Sequence, residues 1–159
     1  MLSIQPAYDR KEEVLALFSE YTAVLVATDP KAKACLEAQD YAAEIEDLEA
    51  KYGLPGGRLY IAVKNDETAG CICLRSLGDG LCEMKRLYVR PAFRGQGIAG
   101  KLVQKIMADA RAMGYRSMML DTLCFMKDAI RLYQKYGFYE VPPYNNSPAE
   151  QTFFMRLDL

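Results

Sequence analysis

Three strand-like segments follow one another in the middle of the chain, and this run constrains the fold more than any other feature of the sequence. The segments are Leu59–Val63, Ala69–Leu77 and Leu81–Val89, and each is rich in apolar residues. Only the short turns Asn65–Thr68 and Gly78–Gly80 separate them. Turns of this length join neighbouring antiparallel strands, whereas a parallel connection needs a dozen or more residues. The run therefore predicts an antiparallel meander of three strands.

Helical periodicity dominates the residues that precede the meander. Leu2–Ala7 is a candidate first strand, and Asp9 with Glu12 matches a capping box ahead of the first helix. Asp29-Pro30 predicts the start of a second helix, which continues to Gly53. Two helices are therefore expected before the meander.

A strand-helix-strand crossover follows the meander. The later elements are, in order, the helix Ile98–Met113, the buried strand Ser117–Asp121, the helix Lys127–Tyr136, and the closing strands Phe138–Val141 and Thr152–Leu157. A crossover through a helix makes the strands that it joins parallel. We therefore predict an α/β fold with a mixed, mainly antiparallel sheet, a central parallel pair and helices on both faces. Residues 1–159 are expected to form one domain.

Composition excludes several classes of function. The net charge is −1, whereas a nucleic-acid-binding protein usually carries a basic excess. No segment approaches the roughly 20 apolar residues that cross a membrane, and residues 1–5 do not resemble a signal peptide. We therefore expect a cytoplasmic protein that binds neither nucleic acid nor membrane. The basic residues between Lys85 and Lys101 are either a solvated surface or a site for a polyanionic small ligand.

The chain has five cysteines and no histidine, which limits its chemistry. The cysteines form no C-x-x-C pair, so we expect reduced thiols and no metal site. Catalysis by a Ser-His or Cys-His pair is excluded. Any proton transfer must use Glu, Asp, Tyr, Lys, Cys or water.

A glycine-rich loop opens the helix after the meander, and it matches two phosphate-binding motifs only in part. Gly95, Gly97 and Gly100 fit G-x-G-x-x-G, but the loop does not directly follow a buried first strand as in dinucleotide-binding domains. The P-loop pattern fails at Leu102, which cannot bind Mg²⁺. A helix start with free N–H groups still favours an anion, most naturally a phosphate.

A third pattern, [QR]-x-x-G-x-[GA], is filled by Arg94, Gly97 and Ala99. It follows the strand Glu83–Val89 and precedes the segment Ala129–Phe138. This arrangement resembles the GNAT superfamily of acetyl-CoA-dependent N-acetyltransferases. The resemblance implies an N-acyltransferase that uses acetyl-CoA and no metal.

The resemblance also implies where the donor binds. The strand after the crossover is expected to splay away from Val89, and the cofactor to enter the gap. The backbone of one strand would pair with pantetheine, the amides of the loop would hold the pyrophosphate, and an arginine would add a charge-assisted contact. These cofactor-binding residues are Leu87, Tyr88, Val89, Arg94, Gly95, Gln96, Gly97, Ile98 and Ala99.

Two residues are the candidates for proton transfer. Glu83 is the candidate base, because several members of the superfamily place a catalytic glutamate near this position, although it could equally be a salt-bridged carboxylate. Strict alternation would place Glu83, Lys85 and Leu87 on one face, and a bulge would change that. Tyr133 is the candidate acid that protonates the leaving sulfur. Met126 stands where many relatives have an asparagine, so one polar cofactor contact is expected to be missing.

The acceptor is expected to be a small-molecule amine that attacks directly in a ternary complex. Its pocket would draw on the first two helices, the strand around Arg75 and the loop of residues 142–146. Candidate substrate-binding residues are Arg75, Arg86, Tyr144 and Asn145. Two alternatives are a protein or peptide N-acetyltransferase and a non-catalytic acyl-CoA-binding domain. The chain is expected to be a monomer or a homodimer.

Overall fold

A seven-stranded sheet organises the protein, in a computed structural model that describes residues 1–147, 150 and 152–159. The strands are β1 (Leu2–Pro6), β2 (Arg58–Lys64), β3 (Glu67–Gly78), β4 (Leu81–Val89), β5 (Ser117–Leu123), β6 (Tyr139–Glu140) and β7 (Thr152–Asp158). The helices are α1 (Lys11–Thr28), α2 (Ala32–Ala38), α3 (Tyr41–Glu46), α4 (Leu48–Tyr52), α5 (Ile98–Ala112) and α6 (Lys127–Lys135). The strand order is β1-β2-β3-β4-β5-β7-β6.

The pairing of the strands confirms the predicted sheet. β2, β3 and β4 form the antiparallel meander, and α5 crosses over so that β5 runs parallel to β4. The remaining pairs, β1 with β2, β5 with β7 and β6 with β7, are antiparallel. The one parallel pair among the described residues therefore lies at the centre of the sheet.

β4 and β5 separate after a short paired segment. Their register runs only from Leu81 with Ser117 to Glu83 with Met119, although β4 continues to Val89 and β5 to Leu123. β5 pairs with β7 along its whole length, whereas its pairing with β4 ends after three residues. The two strands therefore splay, as the resemblance implied, and a wedge-shaped gap opens between their carboxyl ends.

The sheet separates two apolar clusters. One face packs α5 and Tyr133 of α6 against Ile72, Leu74 and Met84. The other face packs α1 and α4 against Leu59, Ile61, Cys71 and Cys73. Helices therefore cover both faces, as predicted, and the four buried cysteines behave as small apolar residues, while Cys124 is exposed.

A bulge in β4 changes the faces of its side chains. Between Cys71–Cys73 of β3 and the facing residues of β4 the register shifts by one, and Arg86 has a positive φ of 61°. Because of the extra residue, Arg86 joins Lys85 on the α1 face, while Leu87 packs on the α5 face. Strict alternation from Glu83 to Leu87 is therefore wrong.

The second predicted helix is three short helices. Asp40 takes a left-handed conformation (φ 54°) between α2 and α3, and the extended Asp47 separates α3 from α4. The Asp47 side chain accepts a hydrogen bond from the backbone N–H of Ala50 and so caps α4. Apolar periodicity alone could not reveal these two breaks, because the buried positions keep nearly the same spacing across them.

Two smaller predictions are also wrong. Asp9 does not cap α1; the helix begins after Arg10, whose guanidinium binds Glu13 one turn later. The strand predicted over Phe138–Val141 is reduced to Tyr139–Glu140. Within the part of the chain that the structure describes, no helix is both long and apolar enough to cross a membrane.

Candidate active site

The glycine loop presents a row of free backbone N–H groups. Gly95 and Gly97 have φ angles of 76° and 78°, a region that strongly favours glycine, and a Cβ at either position would meet no atom within 4 Å. The N–H groups from Gly95 to Gly100 make no hydrogen bond to any described residue, and the first helical bond runs from Lys101 to the carbonyl of Gly97. These six N–H donors at the positive end of α5 therefore favour an anion with several oxygens, such as a pyrophosphate.

A cleft of about 400 Å³ lies in the gap between β4 and β5, next to this loop. Its residues come from α1, the end of β4, the loop and the start of α6. The lining includes Tyr21, Leu87, Tyr88, Val89, Arg94, Ala99, Phe125, Met126 and Leu132. The structure therefore brings Leu87, Tyr88, Val89, Arg94 and Ala99 together around one cleft. Met126, in place of the expected asparagine, adds an apolar side chain to its wall.

Arg94 lies along the edge of β4 that faces the cleft. Its Nε donates a hydrogen bond to the carbonyl oxygen of Val89 at 3.0 Å, and its guanidinium lies 5.9 Å from the ring centre of Tyr88. The side chain is exposed, so this contact can be exchanged at low cost. Gln96 is exposed in the loop and accepts a hydrogen bond from Lys64, while Ile98 is buried beneath it.

Tyr133 lies on α6 in the apolar core, next to Leu132, and is not itself one of the residues that line the cleft. The ring is 7% exposed and lies 5.7 Å from the ring of Phe138. Its hydroxyl makes no hydrogen bond to the residues that the structure describes. Burial raises the pKa of the phenol well above its usual value, and Tyr21 and Asp121 act in the same direction. The phenol therefore stays protonated over the whole range in which enzymes work.

A second, larger cavity of about 570 Å³ opens on the α1 face of the sheet. The three short helices α2, α3 and α4 form one wall, and β3, β4 and β5 form the floor. The loop residues Asn145, Asn146 and Ser147 close the far side. These are largely the segments that the sequence predicts for the acceptor pocket; α1 lines the smaller voids beside it.

Glu83 lies in the floor of this cavity and is 1% exposed. Its Oε1 accepts a hydrogen bond from Arg75 Nε at 2.7 Å, and its Oε2 accepts one from the hydroxyl of Tyr144 at 2.6 Å. Burial by itself would raise the pKa of Glu83, but the charges of Lys85 and Arg75 outweigh it. With the hydrogen bonds from Tyr144 and Arg75, they lower the pKa of this carboxyl. Glu83 is therefore ionised, with both oxygens occupied.

Lys85 is buried beside Glu83 but is not hydrogen-bonded to it. The side chain is 5% exposed, and its Nζ lies 3.7 Å from Oε1 of Glu83, which is beyond hydrogen-bond distance. Burial lowers the pKa of Lys85 to about 8, against the opposite effect of the Glu83 carboxylate. Lys85 therefore brings a charge with unused donors to the cavity.

Arg86 holds the helical wall and does not line the larger cavity. Its Nε and Nη2 bind both oxygens of Glu44 on α3 at 2.8 and 2.9 Å, and Nη2 also donates to Gln39. Lys51 binds the same carboxylate at 2.6 Å. The sequence grouped Arg86 with Arg75 as a substrate ligand; in the structure, the guanidinium is buried and committed to Glu44.

The loop after β6 carries Tyr144 and Asn145, the other two predicted substrate-binding residues, and it contacts both of the splayed strands, β4 and β5. Tyr144 binds Glu83 of β4, and its ring meets Phe154 edge-on at 5.5 Å. Asn145 Nδ2 donates to Oδ2 of Asp121 on β5 at 2.6 Å. The position of Tyr144 and Asn145 is therefore set by one carboxylate on each side of the gap.

A small cavity of about 50 Å³ lies between the cleft and the larger cavity. It shares Tyr21 with the cleft, and it shares Lys85, Asp121 and Cys35 with the larger cavity. The three spaces therefore form a series across the splayed strands. A group held in the cleft and a group held in the larger cavity would meet beside Tyr21 and Asp121.

Sequence reasoning missed three residues of this arrangement: Lys85, Asp121 and Glu44. Lys85 could have been found, because it is two residues from Glu83 and so shares its face. Asp121 was predicted only as the last residue of a buried strand. Glu44 gave no signal, since a glutamate in a helical segment is ordinarily a solvent-exposed residue.

Comparison with known sequences agrees with the geometry. The model of the acetyltransferase (GNAT) family matches residues 20–138. An uncharacterized N-acetyltransferase of Schizosaccharomyces pombe is 41% identical over 118 residues, which cover 73% of this chain and 72% of that protein. The matched residues include β2 to β5, α5 and α6, which carry the cleft.

Solved structures show the same fold. An acetyltransferase from Streptococcus agalactiae superposes with a TM-score of 0.78 at 22% identity, covering 99% of this chain and 98% of that one. A GNAT family acetyltransferase from Elizabethkingia anophelis, solved with acetyl-CoA bound, superposes with a TM-score of 0.61 at 25% identity. The superposition covers 78% of this chain and 87% of that one. The chain therefore belongs to the GNAT family and is an acetyl-CoA-dependent N-acetyltransferase.

Proposed function

We propose that this protein acetylates the primary amine of a small molecule by direct attack in a ternary complex, with residues 1–159 acting as one catalytic domain. The observation that carries this proposal is the series of three cavities across the splayed strands. The cleft takes the donor, the larger cavity takes the acceptor, and the small cavity between them is the place of reaction. No covalent acyl-enzyme is needed, because both reactants can reach that place together.

The residues of the cleft fit the donor. The free N–H groups of Gly95, Gln96, Gly97, Ile98 and Ala99 would hold the pyrophosphate, since no side chain fills the space above the two glycines. The backbone of Leu87 and Val89 borders the gap and would pair with pantetheine, while Tyr88 packs on the opposite face. Arg94 would release the carbonyl of Val89 and turn to the phosphates.

Acetyl-CoA supplies a thioester, so that a C–N bond forms to the amine, the C–S bond breaks and CoA leaves as a thiol. Tyr133 would donate its hydroxyl hydrogen to the leaving sulfur, and the proton lost by the amine would restore the balance through solvent. The buried phenol stays protonated at neutral pH, but its raised pKa makes it a weak acid, which favours a hydrogen bond to the leaving sulfur over full proton transfer.

The contacts of Glu83 favour a positioning role over that of a free base. A base works best with a pKa near the working pH, whereas the pKa of Glu83 is lowered and both of its oxygens accept hydrogen bonds. The sequence prediction that Glu83 removes the amine proton therefore needs a water molecule between them. Asp121 is the second candidate, because its Oδ1 accepts no hydrogen bond from a described residue and it borders the small cavity.

The walls of the larger cavity favour a small acceptor over a peptide. Three short helices enclose one side, and Asn145, Asn146 and Ser147 close the other, whereas Tyr144 binds Glu83 without lining the cavity. A peptide would need an open groove. A cytoplasmic location and a monomeric or dimeric state stay predictions.

A thiol-release assay tests the proposed function. Purified protein is mixed with acetyl-CoA and with amino acids, polyamines, aminoglycosides or short peptides, and binding of acetyl-CoA is measured separately by calorimetry. We expect acetyl-CoA to bind and a small amine to be turned over. Preference for peptides would replace the proposal by protein acetylation, and binding without turnover would replace it by a non-catalytic domain.

The variant Glu83→Gln tests the role of Glu83. If Glu83 positions other groups, the variant should have a lower kcat and the same apparent pKa values in its pH–rate profile. If Glu83 is itself the base, one of these ionisations should disappear from the profile.

A further inference from the structure

The larger cavity contains a buried ammonium that the protein does not satisfy. Lys85 is 5% exposed at its side chain, and its Nζ makes no hydrogen bond to the described residues; its ion pair with Glu83 spans 3.7 Å. Nζ borders both the larger and the small cavity. Lys85 Nζ is accessible from the cavity, so its unused donors are available to a ligand that fills this space.

The glutamates nearest to this ammonium are already engaged by other groups. Glu83 is bound by Arg75 and Tyr144, and Glu44 is bound by Arg86 and Lys51. The cations, in contrast, have donors to spare. The Nη groups of Arg75 make no hydrogen bond within the described part of the chain, and Arg75 borders the same cavity. Two cations with unused donors therefore line one cavity, which favours an anionic ligand in it.

A cationic group on the acceptor also finds a place in the same cavity. Asp121 borders the same two cavities as Lys85 and keeps one carboxylate oxygen without a hydrogen bond from a described residue. It lies on β5, across the gap from Lys85 on β4. An acceptor with both charges would bridge the two strands, with its amine on the side of the cleft.

We propose that the acceptor is a free amino acid, whose carboxylate binds Lys85 and Arg75 while its amino group lies against Asp121. A carboxylate accepts two or more charge-assisted hydrogen bonds, which matches the free donors of one ammonium and one guanidinium. One carbon separates the two groups of an α-amino acid, so anchoring the carboxylate places the nitrogen at the small cavity. This inference rests on the proposed function, since it names the acceptor class of the same site.

The test compares each amino acid with its amide and with the amine that lacks the carboxyl group. All three have a primary amine, but only the first has the carboxylate. With the full chain and saturating acetyl-CoA, we expect kcat/KM to be about 10- to 100-fold higher for the best amino acid than for its amide, which is the effect of one or two hydrogen bonds to charged groups.

Two variants locate the effect. In Lys85→Met the preference for the amino acid over its amide should fall about tenfold or more, and in Lys85→Arg, which keeps the charge, most of it should return. The matched control is Lys135→Met, at an exposed lysine of α6, which should leave the preference as it is.

The outcomes separate this inference from the proposed function. Equal or better turnover of the amides and plain amines overturns the amino-acid inference and leaves small-molecule acetylation standing. If Lys85→Met keeps the preference for the amino acid over its amide, the inference is also overturned, because other residues then bind the carboxylate. Failure to bind acetyl-CoA, or no turnover of any amine, overturns both. If Lys85→Met does not fold, the wild-type comparison of acid and amide decides alone.

Discussion

At the residue scale, Tyr133 combines the tyrosine position of the GNAT-like motif with a buried environment in the fold. It is 7% exposed, packs on Phe138 and makes no hydrogen bond to a described residue. A core tyrosine that only filled space could be a phenylalanine. The hydroxyl of Tyr133 is therefore the feature that a substitution can test.

We predict that Tyr133→Phe lowers kcat by about 10- to 1,000-fold and changes the KM for acetyl-CoA little, because the hydroxyl acts on the leaving group and not on the pyrophosphate. Since burial raises the pKa of the phenol, the wild-type rate should not fall up to about pH 10 through loss of its proton. Steady-state kinetics of both proteins check this, and an unchanged kcat in the variant would reject Tyr133 as the acid.

Lys85 provides a pH signature of amino-acid binding. Burial lowers its pKa to about 8, and a bound carboxylate favours the protonated form, so the KM for an amino acid should rise as the pH increases through about 8. The charged groups that face Lys85 are Glu83 and Arg86 on β4, Asp121 on β5, Lys51 on α4 and Arg75 on β3.

The same amino acid with the variant Lys85→Arg provides the reference for this pH dependence, since the amine of the amide titrates at a lower pH than the amine of the amino acid. In Lys85→Arg the rise should disappear, because a guanidinium stays charged throughout this range. A KM for the amino acid that depends on pH in the same way in the wild-type protein and in the variant would contradict the role of Lys85.

At the element scale, the start of α5 depends on backbone geometry and not on side-chain packing. Gly97 has a φ of 78° and open space above it, and Gly114, past the end of the same helix, has a φ of 85° and equally open space. A side chain at either position costs about 1–2 kcal/mol through the left-handed backbone. The two glycines thus form a matched pair, one at each end of α5.

We predict that Gly97→Ala weakens acetyl-CoA binding about tenfold or more, whereas Gly114→Ala leaves it within about twofold, although both lower the free energy of unfolding by a similar amount. Calorimetric titration with acetyl-CoA and thermal unfolding of the two variants check this. Equal losses of affinity would mean that general destabilisation, and not the phosphate loop, controls donor binding.

At the scale of the whole molecule, ion pairs join the helical wall of the acceptor cavity to the sheet. Glu44 of α3 is 4% exposed and bridges Arg86 of β4 to Lys51 of α4. Burial by itself would raise the pKa of Glu44, but the hydrogen bonds and charge of Arg86 outweigh it and lower the pKa to about 2. The short helices α3 and α4 therefore depend on this carboxylate being ionised.

We predict that the stabilisation from Glu44 is fully present above its unfolded pKa of about 4.5 and is lost as the pH falls from there towards 2. Glu44→Gln should lower the free energy of unfolding at neutral pH by about 3 kcal/mol. In this variant the free energy of unfolding should also fall less as the pH decreases from about 4.5 to about 2. Glu46→Gln, at an exposed position of the same helix, is the control. Denaturant unfolding across this pH range decides, and equal behaviour of the two variants would refute the assignment.

The strands and long helices were accessible from sequence because their signals are local. β4 has the predicted bounds, Leu81–Val89, and α5 begins at the predicted Ile98, where free N–H groups and glycines mark the helix start. The three-helix segment was not accessible, because its breaks at Asp40 and Asp47 depend on how the chain meets Arg86 and the sheet. The faces of Lys85 and Arg86 were uncertain for a similar reason, since a bulge is a property of two paired strands.

The sequence by itself determined the meander, the crossover that makes the central pair parallel, and the glycine loop, since apolar periodicity, short turns and glycine conformations act over a few neighbouring residues. Only the tertiary structure decided which charges remain free. Arg86 and Lys85 are adjacent in the chain, yet one is bound by Glu44 on a distant helix and the other faces a cavity without a hydrogen bond. Burial and hydrogen-bond saturation are set by residues far apart in sequence, and no local pattern encodes them.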